Sequence, residues 1–253
     1  TENTQPSIFV ISYSIFSVMK KEFDIDLNKA NYFAGHSLGE YSALACANGI
    51  DFEDAIRLLN KRGKSMQSAV PPGEGLMLAI LGMDINEIEK ILNENTKFEN
   101  CQIANDNCPK QTVVSGRASA INELSKFLKQ HSIKSIILPV SAPFHCFMMK
   151  QSTEIMTKHI NETNFKNPNP KIISNVTASA QNDTKEIKKL LIRQIESRVR
   201  WRESVEYMIK NDVDEFVEIG PGKVLSGLVK RINKDVKVFN INTNDDITNY
   251  INK

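Results

Sequence analysis

Gly35-His36-Ser37-Leu38-Gly39 follows the apolar run Tyr32-Phe33-Ala34 and precedes Glu40-Tyr41-Ser42-Ala43-Leu44-Ala45. The pattern predicts a short strand over Tyr32 to Gly35 and a helix from Ser37 to about Ala47. A G-x-S-x-G between strand and helix is a sharp turn that lifts the serine hydroxyl above a sheet, and its small residues let the backbones approach closely. Ser37 then sits at a helix N-terminus, where the Leu38 backbone N–H can donate to an oxyanion. Ser37 is therefore a candidate nucleophile; a glycine-lined turn with Ser37 as N-cap is the plainer alternative. His36 should point away from the serine and is read as structural.

On either side of this turn, helices and strands alternate. Ile8, Ile11, Ile15 and Met19 recur at helical spacing between Pro6 and Met19, and Asp51 is a plausible N-cap for a helix that Pro71 and Pro72 end. Between Leu76 and Val140 the order reads strand (Leu76–Leu81), helix (Asn86–Asn93), strands (Gln102–Asn105, Thr112–Ser115), helix (Ala118–Lys129), strand (Ser135–Val140). That β-α-β-β-α-β order is ferredoxin-like. Beyond it come helices over Met148–Ile160, Lys185–Ile195, Glu203–Lys210 and Val224–Ile232, with strands at Ile172–Asn175, Phe216–Ile219 and Val236–Asn240. The expected fold is α/β, a largely parallel sheet covered by helices (residues 1–73 and 141–253) with an inserted small lobe (residues 74–140).

Composition narrows the function classes. The chain has 253 residues, 41% apolar and 25% charged, which is ordinary for a domain that buries a full core. A net charge of +2 argues against a nucleic-acid partner. Cys46, Cys101, Cys108 and Cys146 form no CxxC or ligand spacing, so reduced thiols in a cytoplasmic setting are expected, with no metal. No apolar run reaches membrane-spanning length, and the sequons at Asn161, Asn175 and Asn182 read as chance. Gly220-Pro221-Gly222-Lys223 resembles a phosphate loop but lacks both the P-loop and the dinucleotide spacing.

A serine nucleophile needs a base. His131 and His159 lie in polar surroundings, whereas His145 ends the apolar loop Ser141-Ala142-Pro143-Phe144-His145, where the lobe returns to the core. Loops at the mouth of an α/β sheet collect catalytic residues, so His145 is the candidate base, with a histidine packed for shape as the alternative. No acid is obviously placed to orient it, and its position far from the C-terminus departs from ordinary esterase order. Arg62 falls within or beside the apolar stripe Phe52, Ala55, Ile56, Leu59, Gly63, Met66, which Arg57 does not share. A guanidinium there should be paired, structurally or with a substrate carboxylate. Cys146 beside His145 is read as packing.

GHSLGEYSAL, with Lys61-Arg62-Gly63-Lys64-Ser65-Met66-Gln67 placing an arginine 25 residues after the serine, resembles the malonyl-CoA:acyl carrier protein transacylases. Asn105-Asp106-Asn107-Cys108-Pro109-Lys110-Gln111, SAPFH, Arg193-Gln194, Trp201-Arg202-Glu203-Ser204-Val205 and Glu218-Ile219-Gly220-Pro221-Gly222-Lys223-Val224-Leu225 match in order, essentially end to end. The resemblance implies an α/β-hydrolase-like core with a ferredoxin-like lobe. It implies that Ser37 attacks the malonyl thioester, His145 is the base and Arg62 binds the malonyl carboxylate. It also implies that a backbone carbonyl at Gln194 orients the histidine, and that Leu38 and Asn107 belong to the substrate site.

The implied reaction is ping-pong, from malonyl-CoA to the pantetheine thiol of an acyl carrier protein, in fatty acid synthesis. It uses no cofactor, and the chain is expected to act as a monomer. An acidic carrier calls for a basic docking surface, for which Lys223, Lys230, Arg231, Arg198, Arg200 and Arg202 are candidates. The family begins with a strand carrying Gly-Gln-Gly-Ser-Gln, whose glutamine N–H is a second oxyanion donor. Thr1 to Lys253 contain no such motif, and the expectation is a fragment or a shortened protein. An acyltransferase domain of a multidomain synthase, a serine hydrolase and a non-catalytic fragment are the rival readings.

Overall fold

The computed structural model describes residues 2–253. In chain order its elements are α1 (Thr4–Lys21), β1 (Tyr32–Phe33), α2 (Gly39–Cys46), α3 (Phe52–Ser68), β2 (Gly75–Leu81), α4 (Ile85–Glu94), β3 (Cys101–Cys108), β4 (Gln111–Arg117), α5 (Ala118–Gln130), β5 (Lys134–Ile137), α6 (Lys150–Glu162), β6 (Lys171–Ser174), β7 (Ser179–Gln181), α7 (Thr184–Gln194), α8 (Trp201–Lys210), β8 (Glu215–Ile219), α9 (Val224–Ile232), β9 (Lys237–Ile241) and α10 (Asn244–Ile251).

The expected α/β architecture is present, but its strands are divided. β1 pairs parallel with β6, and β6 pairs antiparallel with β7. β8 and β9 form a separate parallel pair. The one largely parallel sheet read from the sequence is therefore, among the described residues, two small sheets, one of them mixed. β7 was not foreseen, because its three half-buried residues carry no alternation to read.

Residues 75–137 fold as a wholly antiparallel four-stranded sheet in the order β3-β4-β2-β5, with α4 and α5 packed on Leu78, Ile80, Ile103 and Val114. Backbone bonds tie this sheet to the rest of the chain. Asp106 N–H donates to Val199 O at 2.9 Å, and Val199 N–H donates to Ala104 O at 2.8 Å. The largest apolar cluster gathers Phe9, Tyr41, Leu44, Leu59, Met66, Met149, Ile172 and Leu191 from the helices and strands around the serine turn.

Two local expectations need correction. In α1 the buried face carries Gln5, Phe9, Phe16 and Met19, while Ile11 is 44% exposed. The aromatic rings set the rotation, since Phe9 stacks on Phe52 with centroids 5.3 Å apart and can bury more surface than an isoleucine. Asp51 occupies the N-cap position of α3 but makes no capping bond; its carboxylate accepts from Lys166 Nζ at 2.8 Å instead. Among the described residues, no helix is long and apolar enough to cross a membrane.

Candidate active site

The serine turn is tight enough to require glycine. A Cβ on Gly35 would lie 2.1 Å from the backbone carbon and oxygen of Gly39, far inside contact distance. Ser37 itself has φ +53, a left-handed conformation that L-residues hold only under local constraint. Asn175, just past β6, supplies that constraint. Its Oδ1 accepts the Ser37 backbone N–H at 2.7 Å, and its Nδ2 donates to Gly35 O at 2.8 Å. The Leu38 N–H, next in the chain to Ser37, has no acceptor among the described residues.

His145 approaches from the loop that follows β5. Its Nε2 lies 2.8 Å from Ser37 Oγ, and its Nδ1 lies 2.8 Å from Gln194 O at the end of α7. A carbonyl only accepts, so Nδ1 carries the proton and Nε2 is left as a free lone pair toward the serine. His145 also has positive φ, +59. Burial, then the Arg62 charge and His36, lower its pKa to about 3 against the lesser effect of the Gln194 carbonyl. The imidazole is thus held neutral.

Arg62 is 1% exposed on the buried face of α3. Its Nη1 donates to Gln5 Oε1 at 2.7 Å, and its Nη2 donates to Ser37 Oγ at 3.0 Å and Gln194 Oε1 at 2.8 Å. The pairing expected from the sequence is present, but its direct partners are neutral: the buried cation is hydrogen-bonded to two amides and a hydroxyl, with no carboxylate in direct contact. Such a group favours the arrival of a carboxylate.

Behind these side chains lies Glu40. Its Oε2 accepts from Asn175 N–H at 3.0 Å and from Gln194 Nε2 at 2.8 Å. Burial raises its pKa to about 7 against the bonds from Asn175 and Gln194 and the Arg62 charge. Gln194 therefore touches His145 with its backbone carbonyl and Arg62, Glu40 and Ser37 O with its side-chain amide.

Ser37, Leu38, His145, Arg62 and Gln194 converge here. Asn107, at the end of β3, faces His36, with Oδ1 2.9 Å from Nε2. His131 and His159 lie elsewhere, the first exposed on α5's end and the second on α6. Cys146 Sγ points away, donating to Pro143 O at 3.1 Å. Among the proposed docking cations, Arg198 pairs with Glu89, Arg200 with Glu203, and Arg202 with buried Asp106. These three arginines are thus engaged in ion pairs within the chain.

Sequence reading passed over Glu40, Gln5 and Asn175, the last of them noticed only as a chance sequon. The available signal was an acid one helical turn after the serine on an otherwise small and apolar helix.

The acyl transferase domain model matches residues 1–244. A malonyl CoA-acyl carrier protein transacylase of Staphylococcus aureus (strain MSSA476) is 40% identical over 249 residues, covering 98% of this chain and 79% of the relative. The crystal structure of an acyl-carrier-protein-S-malonyltransferase from Bartonella henselae superposes with a TM-score of 0.94 at 39% identity, covering 100% of this chain and 81% of that one. A malonyl-transacylase solved in complex with its type II PKS acyl-carrier protein superposes at 0.93 with 35% identity, covering 100% of this chain and 81% of that one. With a serine turn, a neutral histidine and a buried arginine meeting at one oxygen, and with these likenesses spanning nearly its whole length, the chain belongs to the malonyl CoA-acyl carrier protein transacylase family of acyl transferases.

Proposed function

We propose that this chain transfers malonyl groups from coenzyme A to the phosphopantetheine thiol of an acyl carrier protein, through an ester on Ser37, in fatty acid synthesis. One observation carries the reading: Ser37 Oγ lies within hydrogen-bond distance of both a neutral imidazole and a buried guanidinium whose direct hydrogen-bond partners are all uncharged. The first suits proton removal, and the second suits a substrate that carries its own carboxylate.

In the forward half-reaction, Ser37 Oγ attacks the thioester carbon and its proton passes to His145 Nε2. The carbonyl oxygen gathers charge toward the Leu38 N–H. As the tetrahedral species collapses, the C–S bond breaks and the imidazolium returns its proton to the leaving thiolate. The carrier's thiol then gives its proton to His145 and attacks the ester carbon; the C–Oγ bond breaks and the imidazolium returns the proton to Ser37 Oγ, leaving serine and histidine as they began. Gln194 O holds the imidazole tautomer throughout, while Asn107, bonded to His36, keeps its substrate-side assignment from the family resemblance alone. The thioester is already activated, so this chemistry calls on no cofactor.

This reading includes an α/β-hydrolase-like core formed by residues 1–73 and 141–253 and a ferredoxin-like lobe formed by residues 74–140, acting as a cytoplasmic monomer. The strand order of the antiparallel sheet and the parallel β1–β6 and β8–β9 pairs support the first part.

The test is the mass of the protein after incubation with malonyl-CoA, followed by addition of a phosphopantetheinylated acyl carrier protein. A single malonyl adduct on Ser37 that moves to the carrier is the expected result, with no adduct on Ser37→Ala. An equal adduct on Ser37→Ala would place the nucleophile elsewhere, and release of free malonate without a carrier would make the protein a hydrolase.

A further inference from the structure

Glu40 belongs to none of the steps above, yet it is buried directly behind them. It is 1% exposed, one turn after Ser37, and connects to Arg62 through a single side-chain amide: Gln194 Nε2 donates to Glu40 Oε2 at 2.8 Å, and Gln194 Oε1 accepts from Arg62 Nη2 at 2.8 Å. The other Arg62 partners are the amide oxygen of Gln5 and the hydroxyl of Ser37. Glu40 is thus the acid through which the buried guanidinium is balanced when no substrate is bound. We propose that Glu40 is the charge-compensating partner of Arg62, taking up a proton from solvent when a substrate carboxylate pairs with that arginine. Recognition of the carboxylate would then be coupled to proton uptake at a residue that never touches substrate, an inference that rests on the malonyl reading above.

The surroundings leave Arg62 as the charged group that matters. On α2 itself the neighbouring titratable group is Tyr41, whose phenol burial pushes up to about 12. α3 contributes Arg62, and α1 contributes neutral Gln5. β6 and the residue after it contribute Ser174 and Asn175, and α7 contributes Gln194. The loop histidines, His145 and His36, are both lowered by burial and stay neutral near pH 8. Glu40 sits near 7 because burial raises it while the Asn175 and Gln194 bonds and the Arg62 charge hold it down. A carboxylate on Arg62 cancels the last of these, so the Glu40 carboxyl rises and a proton enters. An acetyl group brings no such charge.

Titration calorimetry on the Ser37→Ala protein, run at pH 8 in two buffers of different ionisation heat, reads the protons exchanged. Malonyl-CoA binding is expected to take up about half a proton or more, and acetyl-CoA binding to take up none. In Ser37→Ala with Glu40→Gln, a near-isostere of the protonated acid, the uptake should vanish while malonyl-CoA still binds. Equal proton uptake for malonyl-CoA and acetyl-CoA, or uptake that persists in the Glu40→Gln protein, overturns the proposal. The first comparison needs no change at Glu40, so it decides even where the second variant folds poorly. Loss of saturable malonyl-CoA binding altogether would instead overturn the site assignment, and this proposal with it.

Discussion

Arg62 Nη2 donates to Ser37 Oγ at 3.0 Å, so a buried cation from α3 and the hydroxyl at the start of α2 are joined by one hydrogen bond. The bond places the Arg62 guanidinium within reach of the acyl chain that the proposed mechanism puts on Ser37. A carboxylate two carbons from the reacting carbonyl would replace that hydroxyl as the guanidinium's partner.

Arg62→Ala should therefore separate substrates. A buried charge-assisted contact removed from one side is worth on the order of 2–5 kcal/mol, so malonyl transfer should fall by a factor of about 30 or more. Acetyl transfer should hold or rise. Steady-state rates on malonyl-CoA and acetyl-CoA make the comparison; equal losses on both would assign Arg62 to the fold.

The neutral state of His145 should extend acylation into acid. Its conjugate acid forms only near pH 3, so the basic imidazole persists well below the usual histidine range. Acylation of Ser37 by an uncharged active ester should hold its rate from pH 8 to about 5. A midpoint near 6.5 would show an ordinary histidine. His145→Ala should lower the same rate by about 10²–10⁴-fold. The sign for stability follows from the lowered pKa: between 6.5 and about 3 the unfolded chain binds a proton that folded His145 refuses. This residue's contribution is fully present above 6.5 and is lost as pH falls through that window. Glu40, raised to about 7, acts oppositely, with stability falling as pH rises from 4.5 toward 7.

Gly35→Ala should damage the turn itself. Its methyl would meet Gly39 backbone at 2.1 Å, and backbone cannot step aside as a flexible side chain can. A loss of at least about 2 kcal/mol is expected, together with loss of acyl-enzyme formation. Urea unfolding and adduct mass measure the two, and a melt unchanged from wild type would contradict the close approach.

Asn175→Ala would leave Ser37 N–H and Gly35 O without their partners. Each buried unpaired group costs about 1–3 kcal/mol, so the two together should lower stability by roughly 2–6 kcal/mol. Acylation of the folded fraction should slow as well, because the positive φ of Ser37 loses its restraint. An effect confined to stability would leave Asn175 a packing residue alone.

Much of this was legible along the chain. The Gly35–Gly39 turn, the helices around it, the β-α-β-β-α-β order and the choice of His145 follow from spacing, punctuation and local chemistry, which act between near neighbours. Arg62 stood out for the same reason, a charge at an apolar helical position. Ser37, His145 and Arg62 owe their meeting to contacts spanning 25 to 108 residues, which no local pattern encodes. The division of the strands into separate sheets is also a matter of which distant edges pair. So is the engagement of Arg198, Arg200 and Arg202 with acids, since an arginine in a sequence looks the same whether solvated or paired. Glu40 and Asn175 are the clearest cases. Glu40 drew no reading from the sequence and Asn175 only that of a chance sequon, yet burial made both into hydrogen-bonded supports of the serine, because a desolvated polar group must find a partner wherever the fold supplies one.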